Sequence, residues 1–219
     1  MVAKIGSKAP NLKVSKWVQG MLTNIDKEKD NVVLVEVFQV NCPGCFLYGI
    51  PEAINIYKKY RAEGVKVLGL ATAFEDYDKN TLENLELLLS TGEVIGETLN
   101  VLGQYGQLQG NKLPYRIPFP VAMDSLKKED VNLTQSQVID FIETRFPDFR
   151  SYSEQQRTYL IERVTQYLRA KQYTAETFEE YALQGTPSSI LIDKKGILRQ
   201  VMFGQNGYLE GLVRALLEE

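Results

Sequence analysis

The feature that most constrains this chain is the run from Asn31 to Val40 (NVVLVEVFQV), which leads directly into Asn41-Cys42-Pro43-Gly44-Cys45. A stretch of β-branched and apolar residues without alternation is the pattern of a strand buried on both faces, as in a parallel sheet. Pro43 suits the first turn of a following helix, where its missing N–H costs nothing. That helix is expected to run to about Glu63 and to be closed by Gly64. Val65 to Thr72 (VKVLGLAT) reads as a second buried strand. Strand, helix and strand within about 40 residues form a βαβ unit, which should be right-handed.

Downstream, Asp78 or Thr81 caps a predicted helix through Leu89. Gly103 to Pro120, rich in Gly, Gln and Pro, reads as a long loop leading to a short strand around Phe119 to Met123. From Leu126 to Gln184 the pattern turns helical. Thr134-Gln-Ser-Gln137 and Ser153-Glu-Gln-Gln156 both fit the capping box. Leu160, Ile161, Val164, Tyr167 and Leu168 recur at helical spacing and give that segment one apolar face. Thr174 caps a third predicted helix to about Leu183. Ser188 to Asp193 (SSILID) and Ile197 to Phe203 (ILRQVMF), joined at Lys194-Lys195-Gly196, form an antiparallel hairpin. A last helix runs from about Gly207 to Leu217. The expected fold is therefore α/β: a mixed sheet flanked by helices in one domain over 1–219, with a helical insertion at 126–184.

Composition narrows the chemistry. The chain has 219 residues, a formal net charge of −3 and no histidine. The charge gives no sign of a phosphate-binding surface, so no nucleic-acid partner is expected. Without histidine, the commonest general base and metal ligand are missing, and acid–base work falls to carboxylates, tyrosines, lysines or thiols. No segment reaches the roughly 20 apolar residues of a membrane span, and Met1 to Pro10 has no apolar core of a signal peptide. On this reading the protein is cytoplasmic.

There are two cysteines, Cys42 and Cys45. A free thiol with a pKa of about 8.5 is mostly protonated at neutral pH. At a helix N-terminus, unpaired N–H groups and the helix dipole favour the thiolate, and Cys42 takes that position. Cys45, one turn later, is within reach to resolve a mixed disulfide. Pro43 and Gly44 between them tune the redox potential. Other readings stay open. The pair could be half of a zinc site shared between chains, although this chain lacks the remaining ligands. It could also be a structural clasp, although so short a loop gains little entropic stabilisation.

A buried strand ending in CxxC, a downstream Gly185-Thr186-Pro187, a hairpin and a final helix together resemble the thioredoxin superfamily. More narrowly, Val121-Ala-Met-Asp124, Gly185-Thr-Pro-Ser-Ser-Ile-Leu-Ile-Asp193 with Gly196, and the opening Gly6-Ser-Lys-Ala-Pro10 are similar to its TlpA/ResA-like, or redoxin, branch. The resemblance covers about residues 1–125 and 182–219. It implies a thiol–disulfide oxidoreductase that reduces protein or small-molecule disulfides, is recharged by a reductant and needs no cofactor beyond its two thiols. It implies that Thr186–Pro187 is a cis bond facing Cys42, with the Thr186 backbone pairing to substrate and Pro43 and Gly44 on the same substrate-facing surface. The bland alternative for Pro187 is an ordinary loop proline at a strand start. It further implies that Glu36, six residues before Cys42, is a buried proton acceptor for the second thiol. The alternative for Glu36 is pairing with Lys or Arg, or a turn toward solvent.

Three departures from the family pattern stand out. Asn41 occupies the place of a tryptophan. Pro51 falls six residues after Cys45, where five is usual, and follows Gly49. The helical region before the hairpin replaces a single helix and is reminiscent of DsbA-like oxidases; it reads either as a substrate-selecting cap or as extra packing. Two further functions compete. A peroxiredoxin motif fails, because Phe38 and Cys42 stand where Pro and Thr are needed. A non-enzymatic binding module would keep CxxC as a clasp and use the insertion and the Gly103–Gly110 loop as its surface.

Overall fold

Each strand signal of the sequence ends up in one six-stranded sheet. In a computed structural model describing residues 2–128, 134–171, 173–205 and 207–219, the chain forms two compact units, Met1–Leu126 with Ala175–Glu219, and Lys127–Thr174. The first unit carries strands β1 (Val14–Gln19), β2 (Val32–Phe38), β3 (Val65–Ala71), β4 (Val121–Asp124), β7 (Ser188–Ile192) and β8 (Leu198–Phe203) in the order β1-β4-β3-β2-β7-β8. β2 runs parallel to β3 and antiparallel to β7, and β3 runs parallel to β4. β1 and β8 are antiparallel edges. The sheet is mixed, as expected.

Burial explains why β2 lacks alternation. Successive side chains of a strand point to opposite faces. Val32, Leu34 and Phe38 enter one core, with Ile50, Ala53 and Ile56 of helix α1 (Ile50–Tyr60) and Val213 and Leu216 of helix α7 (Leu209–Glu218). Val33, Val35 and Val37 enter the other, with Leu12, Phe178 and Tyr181. A full side chain buried in either core stabilises by about 1.5–3 kcal/mol. Glu36 shares the α1-facing side of β2 with Leu34 and Phe38.

Several boundaries differ from the sequence reading. The helix after Cys42 is composite: a π-helical turn over Cys45–Gly49, then α1, then a 3₁₀ turn over Arg61–Glu63, ended by Gly64 at φ 97°. Helix α2 (Leu82–Thr91) is capped by Thr81, not Asp78. Helix α3 (Gly96–Gln104) takes up the start of the expected loop. The region from Leu126 to Gln184 is not helical throughout: strands β5 (Leu126–Lys128) and β6 (Tyr173–Ala175) pair as a two-stranded ribbon, and Thr174 lies in β6. Helix α6 (Glu176–Glu180) starts after β6 and is capped by Asp124, which accepts from the amides of Thr177 and Phe178 at 3.0 and 3.3 Å. Phe178 and Tyr181 belong to a core of the first unit.

The second unit holds helices α4 (Gln135–Arg145) and α5 (Glu154–Ala170), each opened by its capping box at Thr134 or Ser153. Val138, Ile142, Phe149 and Val164 form its small core, with Leu160, Ile161 and Leu168 packed against it. Among the described residues no helix is long and apolar enough to cross a membrane.

Candidate redox site

The central strand delivers the chain to the site. β2 ends at Phe38, and Gln39, Val40 and Asn41 carry it to Cys42 at the head of the π turn. Cys42 and Cys45 are joined by a disulfide, with Cα atoms 5.4 Å apart. The two sulfurs are not equivalent. Cys42 is half-buried, while Cys45 is fully buried in the α1 core. The backbone N–H of Cys45 points at Cys42 Sγ, 3.3 Å away. That N–H is shared with the Cys42 carbonyl, 3.0 Å away, and it lies at a helix start, the environment that favours a thiolate.

The residues expected opposite the pair are there. Thr186–Pro187 is a cis peptide bond. The carbonyl oxygen of Thr186 lies 3.5 Å from Cys42 Sγ. Pro187 is packed against the helix start: a Cβ added to Gly44 would meet its Cδ at 3.8 Å. Thr186 Oγ1 donates to Gln39 Oε1 at 3.2 Å, and Gln39 Nε2 donates to the carbonyl of Glu75. Gln39, which sequence reasoning passed over, thus ties the proline loop to the strand bearing the cysteines.

Glu36 is 1% exposed and has no Lys or Arg partner among the described residues. Ser189 Oγ donates to its Oε2 at 2.7 Å, while Oε1 is buried without a hydrogen bond. Burial pushes its ionisation up to about 8; the Ser189 hydrogen bond opposes this and the Glu52 carboxylate adds to it. Removal from water disfavours the charged form, and one hydroxyl donor does not compensate. A carboxyl ionising near neutrality can both take and return a proton.

Gly49 makes this arrangement possible. A Cβ there would stand 2.2 Å from Glu36 Oε1 and 2.6 Å from Pro187 Cβ. No side chain fits, so glycine brings the active-site helix, the acid and the proline loop together. The neighbouring Gly49 and Pro51 were visible in the sequence as a misplaced kink, but the space they leave was not. The π turn accounts for the extra residue between Cys45 and Pro51, since a π turn inserts one residue into the helix.

Asn41, in the place of the family's tryptophan, is a polar hub. Its N–H donates to Asn80 Oδ1 at 2.9 Å and its Nδ2 to Asp76 Oδ2 at 2.8 Å. Its Oδ1 accepts from the Glu97 amide at 2.7 Å, capping α3 from a distance. Among the described residues no group of three His, Cys, Asp or Glu side chains is placed to hold a metal.

No family model and no curated protein sequence matches the chain. Solved structures do. A thioredoxin-like superfamily protein is 25% identical with a TM-score of 0.60 over 97% of each chain. A thiol-disulfide isomerase from Corynebacterium glutamicum is 29% identical with a TM-score of 0.59, over 98% of this chain and 97% of that one. A thioredoxin-like protein solved in its oxidised form is 14% identical with a TM-score of 0.54, a likeness of fold alone. With its mixed sheet, its CxxC pair at the end of the central strand and its cis proline against the first sulfur, the chain belongs to the thioredoxin superfamily.

Proposed function

We propose that the chain is a thiol–disulfide oxidoreductase of the TlpA/ResA-like kind, working as a disulfide reductase in a reducing compartment such as the cytoplasm. The observation that carries this reading is the asymmetry of the pair: a reachable Cys42 against Thr186–Pro187, and a buried Cys45 behind it. Cys42 thiolate attacks one sulfur of a substrate disulfide. A mixed disulfide forms and the other substrate sulfur leaves as a thiolate that takes up a proton. Cys45 passes its proton to ionised Glu36 and attacks Cys42 Sγ, releasing the second substrate thiol. The substrate gains two electrons and the enzyme is left as the Cys42–Cys45 disulfide. An external dithiol reductant restores it.

Pro43, Gly44, Thr186 and Pro187 form the surface that receives the substrate sulfur in this scheme, with the Thr186 backbone aligned beside an extended segment. The test is reduction of an insulin-type disulfide with dithiothreitol as the donor. Cys42→Ser should abolish it, and Cys45→Ser should accumulate mixed disulfides recoverable from a thiol-trapping pull-down. Full activity in Cys42→Ser would refute the mechanism.

A further inference from the structure

The π turn that carries Cys45 has an unusual hydrogen-bond account. Ile50 N–H reaches back five residues to the carbonyl of Cys45. The next donor in that pattern would serve the carbonyl of Phe46, but it belongs to Pro51, which has no N–H. Phe46 is buried, and a buried carbonyl left without a donor is costly. The donor comes from far along the chain: Tyr115 OH lies 2.9 Å from Phe46 O. Burial pushes the Tyr115 phenol up from its ordinary value, so it keeps its proton and remains a donor at working pH.

The α-helical alternative is one bond away. If Ile50 N–H turned to Phe46 O, the turn would lose its extra residue. The flanking residues would rotate against one another by roughly 100°. Gly49 would then leave the face it shares with Glu36 Oε1 and Pro187 Cβ, where a residue with a side chain does not fit. Two registers therefore compete for one N–H, and the phenol decides between them by satisfying Phe46 O itself.

We propose that Tyr115 is a positioning residue, whose hydrogen bond to Phe46 O holds the Cys45–Gly49 turn in its π register and so keeps Gly49 seated between Glu36 and Pro187. Its bearing on catalysis rests on the proton-accepting role proposed for Glu36; the register does not. Tyr115 sits in the Gly, Gln and Pro-rich segment, which by this reading is a brace for the active-site helix.

The experiment uses the full-length oxidised chain, so no turnover is needed. Through-hydrogen-bond NMR coupling at the Ile50 amide reports which carbonyl it serves, and carboxyl NMR follows the titration of Glu36. In Tyr115→Phe, that coupling should pass from the Cys45 carbonyl to the Phe46 carbonyl as the turn takes its α register. The Glu36 midpoint should fall from near 8 toward the ordinary carboxylate range as the packing against Gly49 loosens. Pro51→Ala restores an N–H in the right place for Phe46 O. The double variant Tyr115→Phe/Pro51→Ala should return both readings toward wild type. The proposal is overturned if Tyr115→Phe lowers the melting temperature but leaves both readings unchanged, or if the double variant is no nearer wild type than the single one. If Tyr115→Phe does not fold, the double variant decides alone: folding with a wild-type Glu36 titration supports the proposal, and failure to fold refutes it. A wild-type protein that reduces no disulfide would refute the proposed function and leave this result standing.

Discussion

Two buried carboxyls sit in the same sheet and are held differently. Asp124 ends β4, with Thr72 Oγ1 donating to it at 2.9 Å and the amides of Thr177 and Phe178 at 3.0 and 3.3 Å. Glu36 lies mid-way along β2, with one hydroxyl donor on Oε2 and nothing on Oε1. Burial pushes both groups up, but in Asp124 the bonds from Thr72, Thr177 and Phe178 oppose it. A buried acid with its lone pairs filled is a cap, holding the start of α6. A buried acid with an empty lone pair is unfinished as structure, and a proton is what completes it. Burial alone therefore does not make a carboxyl a candidate for proton transfer; burial with too few donors does.

The largest expected effect that would break this comparison is on Glu36. Its folded ionisation, near 8, lies above the ordinary 4.5. The folded state then binds more protons than the unfolded state between those values, so stability falls as pH rises. The contribution is fully present below the unfolded value and lost as pH rises through the folded one. Glu36→Gln keeps the shape and the neutral charge at every pH. Relative to wild type it should gain on the order of 3–4 kcal/mol between about pH 5 and pH 9, measured by denaturant melts across that range. Parallel curves for the two proteins would show that Glu36 is not a stressed acid. The next effect belongs to Asp124. Asp124→Ala strips the α6 amides and Thr72 of their acceptor and should cost about 2–3 kcal/mol. The cysteine pair's equilibrium with glutathione should not move. A shifted redox equilibrium would place Asp124 in the chemistry and erase the distinction.

What was legible in the sequence follows the same line between local and distant partners. β2 and β3 were plain because burial on both faces wrote unbroken apolar runs. The capping boxes at Thr134 and Ser153 were plain because cap and partner lie within one turn. Glu36 stood out as the one charge in VVLVEVF. β1 was missed: it is a half-exposed edge whose alternation is broken by register slips against β4. α3 and α6 were missed or misplaced because neither carries its own cap. Asn41 supplies one from 56 residues upstream, and Asp124 supplies the other from β4. Tyr115 gave no local signal at all, and Gly49 showed only beside a displaced proline, since what makes them matter is brought to them by the fold.

Asn41 offers the smallest effect and the finest cut. It adjoins Cys42 and stands where the resemblance puts a substrate-facing tryptophan, so position alone argues for function. Its hydrogen bonds argue otherwise: its N–H, Nδ2 and Oδ1 are all engaged, with Asn80, Asp76 and Glu97. By the rule drawn from Asp124, a polar group so well supplied is structural. A Cβ on Gly96 would come within 2.2 Å of Asn41 Oδ1, so the start of α3 is fitted closely around this amide. Asn41→Ala should cost about 1 kcal/mol, the usual worth of a helix cap. It should leave the rate of Cys42 alkylation in the reduced protein unchanged across pH. An alkylation profile displaced along the pH axis would mean that Asn41 sets the acidity of the neighbouring sulfur, and that filled hydrogen bonds do not by themselves mark a residue as scaffold.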